Sequence, residues 1–440
     1  MSYRIIEVHE QYGYNNPKCL EIDISEYYPI LNKKAFKKEF TQKRGNKSPC
    51  YQINYNEFKE NYNFEASYFV GVDWIVENEL SIYVRPKLNE DKFEVNYIRM
   101  LFDSLERLDN FNYLDHLYEI QFDKPTIEID QAKDLLSPLL VIQYLQILKK
   151  IVQKGLKKSY YPIVSNLNAK VKGKILVNTT IKKNHLKNKI LYNYCKYDDF
   201  GVNSVENQIL KKALRFSQIV IQNVNGIESQ KLQRLFNYIQ PAFYSVKDEV
   251  EIVELKTIKP NPLYKEYEQA LKLATIILKR YGYNISTVNS SIIKTPPFWI
   301  DMSKLFELYV FAKLKELFPL KGEVKYHFET NYQELDFIIN TKDKRFQMVV
   351  DAKYKPQYSY DNISKEDIRQ VSGYARMKSV YRELEKDPGQ NEIIDCLIIY
   401  SDQRSGRKDF INNNFEFEPE KNYVKFFKIG IELPIVKSES

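Results

Sequence analysis

The sequence predicts a multidomain α+β protein, and three observations lead to that prediction. The chain has 440 residues, more than one hydrophobic core normally accommodates, so two or three domains are expected. Its hydrophobic pattern changes along the chain from strand-like runs to helical periodicity and then to mixed helices and strands. Apolar residues make up 43% of the chain and charged residues 28%, so each domain has the composition to bury an ordinary core.

The first predicted domain, residues 1–135, is a β-rich N-terminal module. Its clearest strand-like runs are YFVGVDWIV at 68–76 and LSIYVRPKL at 80–88, with polar segments between such runs. These runs are rich in β-branched and aromatic residues, which favour strands.

The second predicted domain, residues 136–290, is a mostly α middle region. A basic strand is predicted at 170–177, and the Ser-, Thr-, Asn- and Pro-containing segment 284–298 is predicted to be a linker at the last boundary. Helical periodicity is found at 138–156, 205–224 and 264–282.

The third predicted domain, residues 291–440, has the element order αβββαβ. Consecutive strands followed by a helix that returns to a further strand predict a small mixed sheet covered by helices. The predicted helices are 301–318 and 364–385, and the predicted strands are 323–329, 334–339, 345–354 and 392–401.

Composition excludes several functional classes. No stretch approaches the roughly 20 apolar residues of a membrane span, and the N-terminus lacks a signal-peptide pattern, so a cytoplasmic protein without a membrane partner is expected. The four cysteines form no CxxC pair, and the four histidines (His9, His116, His185 and His327) are not at metal-ligand spacing from one another. We therefore assign the histidines no role and expect the chemistry to use carboxylates and lysines.

Positive charge is concentrated in one stretch of the middle region. Residues 149–197 contain thirteen lysines and no Asp or Glu, although the net charge of the whole chain is only +8. Two interpretations stay open, because such a stretch can be a solvated face or a surface that binds DNA or an acidic partner. The candidate binding residues are Lys149, Lys150, Lys157, Lys158, Lys170, Lys172 and Lys174.

Two aspartates in apolar strands predict a metal site. Asp336 lies inside ELDFII, and Asp351 lies near the end of QMVVDAK. Burying a carboxylate is costly unless it is paired or binds a cation. Mg²⁺ prefers one or two carboxylates and keeps its other positions for water and phosphate oxygens, and Mn²⁺ is a possible substitute. We therefore predict that Asp336 and Asp351 hold the metal.

Lys353 completes the predicted catalytic group. Alternate residues of a strand project to one face, so Asp351 and Lys353 point to the same site. A lysine there can polarise the attacking water and offset the charge that develops on phosphate, while the metal lowers the pKa of the water. The alternative is a structural ion pair, such as Asp351 with Lys355.

This constellation resembles the PD-(D/E)XK nuclease superfamily, although Leu335 replaces the nominal proline and the middle acid is Asp. The resemblance implies a restriction-endonuclease-like domain that hydrolyses DNA. It also implies supporting roles for Gln370 and Tyr374 on the following helix, where the alternative is a polar helix face. Glu307, on the helix before the core, would be a further metal-binding acid. The nearby Lys304 suggests instead that Glu307 faces water.

A wider resemblance, over roughly residues 68–378, is to the McrC family, the nuclease subunits of McrBC-type restriction systems. It implies that the N-terminal module binds and stimulates a McrB-like hexameric AAA+ GTPase, while this subunit cuts double-stranded DNA. The chain has no G-x-x-x-x-G-K-[ST] loop, so we expect it to bind no nucleotide itself. The resemblance is carried by VRPKL (84–88), KKIVQKGLKKSYYPI (149–163), VKGKI (171–175), CKYDDFGVNSVENQILKKAL (195–214), IDMSKLFELYVFAKL (300–314), LDFII and VVDAKYKP.

Two other functions stay open at this point. The chain could be a stand-alone DNA-processing nuclease that shares only the catalytic core, in which case it would cleave DNA without a partner. It could instead be a non-catalytic adaptor that activates a motor NTPase, in which case loss of Asp351 would leave cleavage unchanged.

Overall fold

The structure is a computed structural model. It describes residues 4–14, 18–19, 28–42, 45–87, 95–105, 116–130, 134, 136–222, 229–249, 264–284, 292–330, 333–355, 363–390, 392–411 and 415–435.

Strands make up several separate sheets in the described residues. In chain order they are β1 (Arg4–His9), β2 (Lys18–Cys19), β3 (Phe36–Thr41), β4 (Lys47–Asn56), β5 (Asn61–Ala66), β6 (Phe69–Val76), β7 (Leu80–Arg85), β8 (Tyr118–Ile120), β9 (Ile127–Asp130), β10 (Ser159–Asn168), β11 (Lys174–Ile175), β12 (Tyr192–Gly201), β13 (Ile292–Thr295), β14 (Phe298–Asp301), β15 (Val324–Thr330), β16 (Gln333–Asn340), β17 (Gln347–Lys353), β18 (Asp395–Ser401), β19 (Glu418–Pro419) and β20 (Phe426–Ile431).

The helices lie between these strands. In chain order they are α1 (Tyr28–Leu31), α2 (Tyr97–Leu105), α3 (Leu136–Lys154), α4 (Val177–Lys183), α5 (Val205–Gln222), α6 (Ser229–Ile239), α7 (Lys265–Asn284), α8 (Met302–Leu317), α9 (Lys365–Tyr374) and α10 (Lys378–Glu383). The protein is thus a mixed α and β structure with several sheets, as the sequence predicts. No helix of the described segments combines the length and the apolar character needed to cross a bilayer.

The chain forms two compact units. One is Leu140–Val288, and the other combines Met1–Leu139 with Asn289–Ser440. The three-domain division of the sequence remains a prediction, to which the structure adds that the N-terminal and C-terminal segments share one unit.

The N-terminal and C-terminal segments are joined by β14. A five-stranded sheet has the order β1-β7-β6-β14-β8, and β14 pairs antiparallel with both β6 and β8. Trp299 of β14 is fully buried in a core shared with the four-stranded sheet β2-β5-β4-β3, and its indole Nε1 donates to Asp73 Oδ2 at 3.1 Å. Burying this large ring provides a substantial apolar contribution to the joint.

The linker prediction for 284–298 is corrected by these strands. Residues 292–295 form β13, which pairs antiparallel with β9, and β14 begins at Phe298. Only Pro296 and Pro297 separate the two strands, so the linker-like composition reflects a turn between strands rather than a free connection. Residues 285–291 lie outside the described residues.

The C-terminal sheet has six strands in the order β15-β16-β17-β18-β20-β19. Pairing is antiparallel from β15 to β17 and parallel from β17 through β18 to β20. The predicted mixed sheet and its first helix, now α8, are confirmed. The predicted helix 364–385 is instead two helices, α9 and α10, and the break follows Gly373, a poor helix former. Strands β19 and β20 were not predicted.

The Leu140–Val288 unit contains helices and a three-stranded antiparallel sheet with the order β10-β12-β11. The three predicted helices are confirmed as α3, α5 and α7. The predicted basic strand at 170–177 is corrected, since only Lys174–Ile175 is a strand and α4 begins at Val177. Gly173, at φ +67°, makes a close turn against Tyr197 that interrupts a longer strand.

The substitution Gly71→Ala tests the close packing of β6 against β14. A Cβ there would overlap the carbonyl oxygen of Phe298, so Gly71→Ala should lower the free energy of unfolding by about 1–3 kcal/mol. Chemical denaturation measures this change. Gly373→Ala is the matched control, because its Cβ meets no atom within 4 Å and a helical alanine is favoured. Equal stabilities for the two variants would contradict this account of the joint.

Candidate active site

The three predicted catalytic residues lie together where β16 and β17 separate. The ladder between these strands ends at the pair Phe337 and Val350, and Asp336 and Asp351 are the next residues on each strand. Beyond this point the Asp336 Oδ2 atom accepts a hydrogen bond from the Ala352 amide at 2.8 Å. A side chain thus replaces the missing ladder bond, and the strands open at the two acids.

Lys353 lies beside Asp351, on the same face of β17. Its Nζ is 2.8 Å from Asp351 Oδ2 and 3.9 Å from Asp367 Oδ1, and it donates to Gln370 Oε1 at 3.1 Å. Asp351 is buried, whereas 18% of the Lys353 side chain is exposed. The ammonium group is therefore held between a buried acid and the solvent-facing helix α9.

Helix α9 brings Gln370 and Tyr374 to this site. Gln370 Nε2 donates to the Tyr374 hydroxyl at 2.9 Å, and the same amide accepts from Lys353 through its oxygen. The helix begins where the Ser364 hydroxyl accepts from the Asp367 amide, an N-cap that fixes its first turn. Gln370 is thus in contact with the predicted lysine, and Tyr374 contacts Gln370.

Glu307 lies on α8 beside this site, and 22% of its side chain is exposed. Its Oε2 atom accepts from the Tyr326 hydroxyl at 3.4 Å and lies 3.3 Å from His327 Nε2. His327 Nδ1 is also 2.7 Å from Glu334 Oε1. Helix α8 is buried on nearly every side, so most of its residues are apolar and no single polar face is visible in the sequence. The neighbouring lysines therefore do not indicate which way Glu307 points.

The clustered acids raise one another's pKa values. Burial raises the pKa of Asp336 well above its usual value, and the charges of Asp351 and Glu307 raise it further. Burial also raises the pKa of Glu307 to about 8, with Asp301 and Asp351 adding to the effect. These three acids repel one another in their charged forms, which a bound cation would relieve.

Lys353 partly offsets this repulsion. Burial alone would lower its pKa, but the charges of Asp351 and Asp336 outweigh burial and raise it above the usual value. For Asp351, burial raises the pKa and Lys353 opposes the rise. Without a bound cation, Lys353 is therefore charged at neutral pH.

The residues present fit a hard divalent cation. Carboxylate oxygens are the ligands that Mg²⁺ prefers, and one or two of them are enough when water and phosphate fill the other positions. Within the described residues, no three His, Cys, Asp or Glu side chains form a complete metal-ligand set.

The alternative ion pair of Asp351 with Lys355 is not what the structure shows. Lys355 Nζ lies 2.7 Å from Asp367 Oδ2, and Asp351 is paired with Lys353. Sequence reasoning missed His327 and Asp367 at this site. His327 lies at an irregular position in β15 with φ +53°, and no feature of the sequence indicates this conformation. Asp367 follows Ser364 by three residues, a pattern that indicates only the start of a helix.

The predicted basic residues lie in the other unit, Leu140–Val288. Lys149 and Lys150 are half-buried on α3, whereas Lys158, Lys170 and Lys174 are exposed. Exposed apolar side chains, among them Tyr160, Leu186 and Ile190, lie in the same part of the sequence.

Two of these lysines already have partners. Lys157 pairs with Glu206 at 2.6 Å, and only 16% of its side chain is exposed. Lys172 lies 3.7 Å from Asp199 and 4.2 Å from the centre of the Tyr197 ring. Lys157 is therefore less available to a polyanion than Lys158, Lys170 and Lys174.

Comparisons with known proteins were made for the whole chain. A family model described as McrBC 5-methylcytosine restriction system component matches residues 66–384. No curated protein matches the chain. Two solved structures from Thermococcus gammatolerans are similar to it, each at 15% identity.

The first of these structures is described as a refined half-complex from a tetradecameric assembly of McrB AAA+ hexamers with bound McrC. The match covers 99% of this chain and 96% of that chain, with a TM-score of 0.39. The second is described as the McrBC complex. It covers 73% of this chain and 89% of that chain, with a TM-score of 0.29.

The pKa of Glu307 predicts how stability changes with pH when metal is removed by a chelator. The unfolded chain releases the Glu307 proton near pH 4.5, whereas the folded chain keeps it up to about pH 8. The folded state therefore binds more protons in this window, and stability should fall as pH rises through it. Glu307→Gln should flatten this dependence in thermal unfolding measured across the window. Glu316→Gln, a change on the same helix, is the control, and an unchanged slope in Glu307→Gln would contradict the assignment.

Proposed function

Since the chain belongs to the family of McrBC 5-methylcytosine restriction system components, we propose that it is a McrC-like endonuclease subunit that cleaves foreign DNA in a two-component, nucleotide-driven system. The observation that carries the nuclease proposal is the meeting of Asp336, Asp351 and Lys353 at the opening of β16 and β17. The proposed domain is of the PD-(D/E)XK type, and the reaction is hydrolysis of a DNA phosphodiester.

Asp336 and Asp351 are the proposed ligands of Mg²⁺, and Mn²⁺ would use the same carboxylates. Bound there, the cation would lower the pKa of a water molecule and neutralise charge on the scissile phosphate. Glu307 is the proposed further acid, because its carboxyl group interacts with Asp351 and is fixed by Tyr326 and His327.

Lys353 is the proposed electrostatic catalyst. Its ammonium group would donate hydrogen bonds to the attacking water or to a phosphate oxygen and offset the negative charge that develops there. Gln370 holds Nζ on the α9 side, and Tyr374 holds Gln370. A lysine fixed in this way needs little reorganisation as negative charge develops on phosphate.

The proposed partner is a McrB-like hexameric AAA+ GTPase that supplies nucleotide hydrolysis. Membership in the McrBC family supports this partner. The proposed contact surfaces are the N-terminal sheets and a lysine-rich surface of the Leu140–Val288 unit. That surface consists of the exposed residues Lys158, Lys170, Lys172 and Lys174. For the lysines, charge complementarity also allows contact with double-stranded DNA.

Replacing Asp351 or Lys353 should remove most DNA cleavage and leave assembly with the GTPase intact. In the complex with its GTPase, Asp351→Asn and Lys353→Met should each lower the single-turnover rate of DNA cleavage by at least about 100-fold. Lys344→Met is the control, because Lys344 is exposed in the turn between β16 and β17 and pairs with Glu385 at 2.8 Å.

The same assay separates the other functions. Full cleavage by the wild-type chain with Mg²⁺ and no partner would favour a stand-alone nuclease. Cleavage by the reconstituted complex that is unchanged in Asp351→Asn and Lys353→Met would contradict the nuclease proposal and favour a non-catalytic adaptor.

The lysine-rich surface can be tested with one triple variant. Replacing Lys170, Lys172 and Lys174 by Gln should weaken binding to double-stranded DNA and lower its salt dependence by about one unit of slope per lost phosphate contact. The control replaces Lys247, Lys265 and Lys272, exposed lysines of the same unit. Loss of GTPase stimulation at unchanged DNA affinity would assign the surface to the motor. If DNA affinity and GTPase stimulation are both unchanged, the lysines form a solvated face without a binding role.

A further inference from the structure

A buried polar network in the first unit contacts the residue that follows Lys353. Glu10, directly after β1, is completely buried, and its Oε1 atom accepts from the Tyr354 hydroxyl at 3.0 Å and from the Lys87 amide at 3.1 Å. Lys87 Nζ donates to the Tyr354 carbonyl oxygen at 3.0 Å and to Gln11 Oε1 at 2.7 Å. Two residues of the N-terminal segment thus bind the two ends of Tyr354.

The aromatic ring of Tyr354 is enclosed as well. Lys87 Nζ lies 4.5 Å from its centroid, the Phe306 ring is 5.7 Å away, and the Tyr97 hydroxyl is 3.4 Å from the Tyr354 hydroxyl. Tyr354 is 3% exposed. Its backbone and its side chain are therefore both fixed.

This network lies where β17 loses its sheet partners. The ladder with β16 ends at Val350, and the ladder with β18 ends at the pair Lys353 and Tyr400. Tyr354 directly follows β17. Its side chain contacts Glu10 and Phe306, whereas that of Lys353 contacts Asp351 and Gln370. Once the ladders end, Tyr354 is the next fixed point along the chain.

The network is costly to build, which argues against a purely stabilising role. Burial raises the pKa of Glu10 to about 7 and lowers the pKa of Lys87 to about 8, so burial opposes the charged form of each group. The Glu10 Oε2 atom accepts no hydrogen bond from the described part of the chain. Apolar residues of similar size would often be at least as stable in such a place.

We propose that Glu10 and Lys87 are positioning residues for the candidate active site and that they orient Lys353 through Tyr354. This inference rests on the proposed nuclease function. It makes the N-terminal segment part of the machinery that holds the catalytic lysine, in addition to any surface it offers a partner.

The test compares Tyr354→Phe with Tyr62→Phe in the full chain. Each change removes one buried hydroxyl, since Tyr62 is 1% exposed and accepts from the Lys33 amide at 2.7 Å, but Tyr62 lies on β5 in the four-stranded sheet. The first readout is the rate at which an amine-reactive reagent labels Lys353, measured by peptide mass spectrometry. The second is kcat and KM for DNA cleavage by the assembled complex.

We expect Tyr354→Phe to speed labelling of Lys353 and to lower kcat by about 10-fold or more with little change in KM, because small misplacements of catalytic groups are costly. Tyr62→Phe should change neither the labelling rate nor kcat. Its thermal midpoint should fall by about as much as that of Tyr354→Phe, because each variant loses one buried hydroxyl. Glu10→Gln keeps an oxygen that accepts from Tyr354 and should retain wild-type behaviour, whereas Glu10→Ala should behave like Tyr354→Phe.

Wild-type labelling and kcat in Tyr354→Phe would overturn the proposal, as would equal effects in Tyr62→Phe. If the wild-type complex does not cleave DNA, the proposed function fails, but the labelling rates still decide whether Tyr354 orients Lys353. If Glu10→Ala does not fold, Tyr354→Phe and Glu10→Gln carry the test.

Discussion

The repulsion among three clustered acids is the constraint on which the candidate site depends. Asp336, Asp351 and Glu307 come from β16, β17 and α8, and the pKa of Glu307 is raised to about 8. One lysine, Lys353, opposes this repulsion from within the group. Gathering such groups in their charged forms costs stability unless a cation joins them.

The framework that holds these acids is assembled from distant parts of the chain. Strand β14 inserts between β6 and β8 of the N-terminal sheet, and α8 follows it directly, with Asp301 as its N-cap. The Glu10 and Lys87 network reaches from the same N-terminal segment to Tyr354 at the end of β17. The N-terminal segment and the sheet that carries the acids therefore form one compact unit rather than two independent domains.

Sequence patterns predicted the strands and helices of this unit in which apolar residues recur with a regular period. The apolar strands around Asp336 and Asp351 and the helix α8 were found because burial imposes such periods, and the i to i+2 spacing placed Asp351 and Lys353 on one face. Long-range pairing leaves no local pattern, so the sequence predicts a linker where β13 forms and does not predict β14. The direction of Glu307 and the place of His327 depend on packing around α8 and on an irregular strand, which the local sequence does not encode.

The position of β14 in the chain has a consequence for biosynthesis. Its partner β6 ends at Val76, whereas β14 begins at Phe298, and in the described part of the chain β8 pairs with the sheet through β14. While the ribosome makes the intervening residues, the hydrogen-bonding edge of β6 stays open, and such edges attract other chains. The nascent polypeptide is therefore expected to expose an aggregation-prone strand edge until its last third emerges.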